Sequence, residues 1–130
     1  MRRLNGERQA GERVLLLSDD DRRGELLRRL LFAAGLRVLP DAARASPALR
    51  SAPVTLVALD ATAGAARARG LIGGLGRASG RPILVFAARG ERAMVRTLLP
   101  AGPAAILEMP ASPDQVRAGL RRLTQPALLL

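Results

Sequence analysis

Residues 54–60 read VTLVALD: six mostly β-branched or aliphatic side chains that run straight into one carboxylate, Asp60. Pro53 precedes the run and the turn-prone ATAG follows it. An apolar run of this length, so bounded, predicts a fully buried strand of a parallel sheet. Ligands of open parallel sheets sit in the crevice beyond the carboxyl ends of the strands. Asp60 is therefore the first candidate for chemistry; the alternative is an acid solvated in a loop.

Working outward, four more short apolar runs share this character. RVLLL at 13–17 predicts the first strand, ended by Ser18-Asp19-Asp20-Asp21, and LRVL at 36–39 the second. PILVFA at 82–87 and AAILE at 104–108 predict the fourth and fifth. Between them lie helical patterns. Asp21 is the expected N-cap of a helix over about 22–34, with Leu27, Leu30, Leu31 and Ala34 as its buried stripe and Gly35 as its stop. Weaker helices are expected at 42–50, limited by Pro47, and near 65–76, where Ala68, Leu71, Ile72 and Leu75 pack but Gly73, Gly74 and Gly76 each weaken the helix by ~1 kcal/mol relative to alanine. A helix over about 91–99 is expected to turn Met94, Val95 and Leu98 inward. The last helix has the plainest start: Ser112 as cap, Pro113 at the first position and Gln115 three residues on form a capping-box pattern. Its buried stripe is Val116, Leu120 and Leu123. Five strands alternating with five helices predict an α/β fold with a parallel sheet covered on both faces. Residues 1–12 and 125–130 are expected as tails flanking a domain at 13–124.

Composition narrows the chemistry. The chain has 130 residues, no cysteine and no histidine. It therefore has no disulfide, no thiolate nucleophile, no zinc–sulfur site and no imidazole base. A serine hydrolase of the usual kind is excluded, since nothing is present to activate the serine. The longest apolar runs fall far short of the ~20 residues of a membrane span, and no apolar segment of secretory type follows the basic N-terminus. A soluble cytoplasmic protein is expected, with no membrane partner. The formal net charge is +10 and every basic residue is arginine. Arginine suits phosphate recognition, but the arginines are scattered, and Phe32 and Phe86 are the only aromatic residues. Bases would find almost no stacking platform, so nucleic acid is not the expected partner.

The ordered set of strand ends resembles the receiver domain of bacterial response regulators. An acidic cluster (Ser18, Asp19, Asp20) follows strand one, Asp60 ends strand three, and AGPAAILEMP at 101–110 is similar to the family's AGA-hydrophobic-KP ending of strand five. The resemblance covers about 13–123. It implies a flavodoxin-like three-layer α/β/α sandwich with a five-stranded parallel sheet of order 2-1-3-4-5. It also implies phosphotransfer from a histidine kinase to Asp60 as phospho-acceptor. Mg²⁺ would be held by Asp19, Asp20, Asp60 and the backbone carbonyl of Thr62, since hard cations take oxygen ligands and neutralise the repulsion between two anions. Helix capping explains Asp21 and part of Asp20 without any ligand.

Three positions depart from the family together. Its threonine or serine at the end of strand four aligns with Ala87, its lysine before the proline with Met109, and its aromatic switch residue with Ile106. Its first acid aligns with Ser18. Arg89, just beyond strand four, is a candidate replacement cation. The expectation is thus a receiver-like domain without a full phosphorylation switch, which is not an enzyme. It would bind a signalling partner (a histidine kinase or an output protein) through the helix at 91–99, the strand at 104–108 and the last helix, with Arg92, Arg96, Arg117 and Arg121 as candidate contacts. The apolar PALLL at 126–130 offers a surface to a partner or to a second copy in a homodimer. Three alternatives remain: a conventional phospho-accepting receiver, a basic nucleic-acid module, and an Asp-nucleophile phosphatase. The last lacks its second acid, because the tripeptide is Asp60-Ala61-Thr62. GLIGGLG at 70–76 does not directly follow a strand and lacks the Lys-Ser/Thr of a phosphate loop.

Overall fold

The computed structural model describes residues 13–39, 55–73, 81–100 and 102–124. The expected tails, the helix at 42–50, PALLL, and Leu75 with its neighbouring glycines lie outside these residues. Among the described residues there are five strands: β1 (Arg13–Leu17), β2 (Arg37–Val38), β3 (Leu56–Ala61), β4 (Ile83–Ala87) and β5 (Ala104–Glu108). Among the same residues four helices accompany them: α1 (Asp21–Ala33), α2 (Ala65–Gly73), α3 (Arg92–Leu98) and α4 (Pro113–Thr124). All pairings are parallel, and the sheet order is β2-β1-β3-β4-β5. Among the described residues no helix is long and apolar enough to cross a membrane.

The three layers follow from the alternation of side chains along each strand. Leu15, Leu17, Val57, Leu59, Val85 and Ile106 join Ala68 and Val95 on the face covered by α2 and α3. Val14, Leu16, Leu56, Ala58, Leu84 and Phe86 join Leu27, Leu31 and Val116 on the face covered by α1 and α4. All six side chains of β3 are buried. This is why that strand reads as a continuous apolar run rather than an alternating one. Asp60 shares the parity of Leu56 and Ala58 and so is directed to the α1 side.

The helix signals hold with two shifts. Asp20, not Asp21, caps α1: it takes an extended backbone, and its side chain accepts the Arg23 N–H at 2.8 Å. Three consecutive acids made one position as plausible a cap as the next. Gly35 ends α1 in the left-handed region, at φ 94°, where a Cβ is unfavourable. In α3 only Val95 is fully buried; Leu98 is half-buried and Met94 is 59% exposed. With only seven residues the helix turns a single narrow stripe inward, and Met94 lies off it. The capping box at α4 forms reciprocally. Gln115 N–H donates to Ser112 Oγ at 3.2 Å, and Ser112 N–H donates to Gln115 Oε1 at 2.7 Å. Ser112→Ala is expected to lower stability by about 1 kcal/mol in urea unfolding, with the m-value unchanged because the core is untouched.

Candidate functional site

The parallel register places Leu17 opposite Leu59, Asp60 opposite Phe86, and Ala87 opposite Glu108. The carboxyl ends of β1, β3, β4 and β5 therefore lie along one rim. Asp60 stands at its centre. It is 3% exposed, the buried charged side chain among the described residues. A buried carboxylate is tolerated only if its oxygens are bonded and its charge is matched, and both conditions are met here. Oδ1 accepts the Thr62 hydroxyl at 2.6 Å and the Thr62 amide at 3.0 Å. Oδ2 accepts the Ser18 hydroxyl at 2.6 Å and Arg23 Nε at 3.4 Å.

Arg23 is the hub. From the first turn of α1 its guanidinium meets three carboxylates: Asp19 Oδ1 at 3.0 Å, Asp20 Oδ2 at 3.5 Å and Asp60 Oδ2 at 3.4 Å. Partial burial acts to lower its pKa, but the attraction of Asp20 and Asp60, with Asp19 adding, outweighs this and raises it above the ordinary arginine value. Arg67 arrives from α2 and closes on the other oxygen of Asp19, with Nε at 3.0 Å and Nη2 at 2.8 Å. Nearby, Glu91 Oε1 accepts the Ala65 amide at 2.9 Å, joining the β4–α3 connection to the start of α2.

The sequence-expected acids Asp19, Asp20 and Asp60 are thus brought to one rim, but around a guanidinium. Thr62 meets Asp60 through its amide and hydroxyl. The cation beside Asp60 is Arg23, while Arg89 is exposed on the loop after β4. Every buried side-chain nitrogen and oxygen among the described residues has a hydrogen-bond partner, so none is left aimed at a missing ligand. Nor is any group of three or more His, Cys, Asp or Glu among the described residues disposed to hold a metal ion. The donor set as it stands does not fit a divalent cation.

At the positions that depart from the receiver pattern, Ala87 is fully buried at the end of β4 and its carbonyl accepts the Met109 amide at 2.9 Å. Ile106 is buried on the α2–α3 face, and Met109 packs against the α1–α4 core. Arg92 and Arg96 are exposed on α3, and Arg121 on α4. Arg117 is engaged elsewhere: it pairs with Asp114 and donates to the Ala33 carbonyl at the end of α1. It therefore faces α1 rather than the β5 edge.

Residue reasoning missed Arg23, Arg67 and Glu91. Arg23 had a signal, since it lies four residues after Asp19 and three after Asp20, spacings at which side chains meet on a helix. Arg67 and Glu91 had none, because their partners are 48 and 26 residues away.

The fold is a flavodoxin-like α/β/α sandwich with a five-stranded parallel sheet of order 2-1-3-4-5. The structure is similar to that of full-length FixJ from B. japonicum, a response regulator, with a TM-score of 0.61 and 22% sequence identity. The match covers 91% of this chain and 62% of that one, so the chain spans about three fifths of FixJ. No family model and no curated protein sequence matches the chain.

The cap sets a pH dependence. The Arg23 backbone N–H bond, reinforced by the Arg23 and Arg22 charges, outweighs burial and holds the Asp20 carboxyl below its ordinary 3.8. A depressed folded-state pKa means stability that is present above the unfolded value and is lost as pH falls through the folded one. Carboxyl ¹³C titration is expected to place the Asp20 midpoint below 3.8. Acid unfolding of Asp20→Asn is expected to lack that contribution to its slope.

Proposed function

We propose that this chain is a receiver-like domain of phosphorelay (two-component) signalling that has lost its phosphorylation switch and acts in the cytoplasm by binding a protein partner. The carrying observation is the chemistry of three positions on a receiver-like scaffold. Ala87 has no hydroxyl to donate to a phosphoryl oxygen. Met109 brings no charge, where a cationic side chain would add a charge-assisted contact worth about 1.5–3 kcal/mol. Ile106, 2% exposed, has no ring to move between inward and outward positions. A phosphoryl group at Asp60 would have neither a hydroxyl from the end of β4, nor a cation from the end of β5, nor a ring on β5 to report it.

The partner surface is α3, β5 and α4, with Arg92 and Arg96 offering bidentate donors to acidic or polar groups of a kinase or output protein. No catalytic turnover is expected of it. The test is incubation with a small phosphodonor and Mg²⁺, followed by intact mass and amide NMR shifts. Little or no stable phosphoprotein is expected, and no shift change in α3. Robust labelling of Asp60 with shifts reaching α3 would show a conventional phospho-accepting receiver instead.

A further inference from the structure

We propose that Arg23 is a built-in cation. It takes the place of a divalent metal at the carboxylate rim and, together with Arg67 on Asp19, offsets most of the negative charge of Asp19, Asp20 and Asp60. Lone pairs and charge both point to this role. Each of the two oxygens of each of these three acids already faces a donor within 3.5 Å. In Asp19, Oδ1 meets Arg23 Nη2 and Oδ2 meets Arg67. In Asp20, Oδ1 accepts the Arg23 amide and Oδ2 meets Arg23 Nη1. In Asp60, Oδ1 accepts from Thr62 twice, and Oδ2 accepts from Ser18 and Arg23.

A hard divalent ion needs several of these oxygens as ligands at short range. To bind, it would have to displace a guanidinium that is always charged and that repels it at the same point. Arginine suits the role because its planar fork carries five N–H donors and reaches several acceptors at once. It is also tethered, so its effective concentration at the rim does not depend on the medium. An aligned first turn of α1 supplies it from the same segment as Asp19 and Asp20.

This role for Arg23 depends only on the fold and the rim geometry. Whether Asp60 accepts phosphate and whether a partner binds α3 are measured separately, so either can fail without the other. The test is Mn²⁺-induced broadening of assigned amide signals, read at Ser18, Asp60 and Thr62, on the whole chain and on Arg23→Gln and Arg23→Lys. The unaltered chain and Arg23→Lys are expected to show no broadening localised at the rim. In Arg23→Gln, removal of the positive charge beside the ligand oxygens is expected to tighten Mn²⁺ binding there at least about tenfold, and adding Asp60→Asn should reverse the gain. Rim broadening of the unaltered chain at the same Mn²⁺ concentration as Arg23→Gln, or a folded Arg23→Gln that gains nothing, would overturn the proposal. Should Arg23→Gln not fold, the Arg23 Nε–H resonance of the unaltered chain decides the matter. An unchanged signal on addition of Mg²⁺ supports the built-in cation, and a shift marking its departure from Asp60 refutes it.

Discussion

The pairing of β1 with β3, Leu17 opposite Leu59, sets everything at the carboxyl rim. It delivers Ser18 and Asp60, which are 42 residues apart in sequence, to a 2.6 Å hydrogen bond. It also places the first turn of α1 over the end of β3. Backbone pairing fixes this to the residue, because a slip of one would turn Leu15, Leu17, Val57 and Leu59 to the wrong face of the sheet. The apolar core is in this sense what positions the polar site. The cost of burying the Asp60 carboxylate is offset by four donors, one of them a guanidinium, all supplied by residues within two positions of a strand end or on the first turn of a helix.

Much of this was legible in the residues because it depends on local patterns. RVLLL and AAILE coincide with β1 and β5. Gly35 ends α1, and Ser112 with Gln115 forms the cap of α4. These features are decided within four residues of chain, where periodicity and capping chemistry act. The rim was half legible. The acids were identifiable as charges at strand ends, but their counter-ions were not, because a scatter of arginines over every segment hides the one that points inward. Arg23 differs from Arg22 only in the side of α1 on which it falls. Met94 misled for the opposite reason: an apolar side chain in a seven-residue helix has no guarantee of a place in the narrow stripe that Val95 fills.

The arginine content also takes on a more specific meaning. A charge of +10, all of it from arginine on the basic side, pointed first to phosphate recognition. Several of these side chains have internal work instead. Arg23 and Arg67 hold the rim acids, and Arg117 ties α4 to the last turn of α1. Net charge describes the long-range field of a protein and not the tasks of its individual charges.

Glu91 carries a mechanical consequence. Its carboxylate accepts the first amide of α2 from a position just ahead of α3. It thus completes a helix end to which it does not belong and adds negative charge where the α2 dipole favours it. Any rearrangement of the β4–α3 connection would strip that amide of its acceptor, so the segment bearing Arg89 and Gly90 is moored to its neighbour. The start of α2 and the start of α3 are thereby pinned to each other by a contact that neither helix could make within itself.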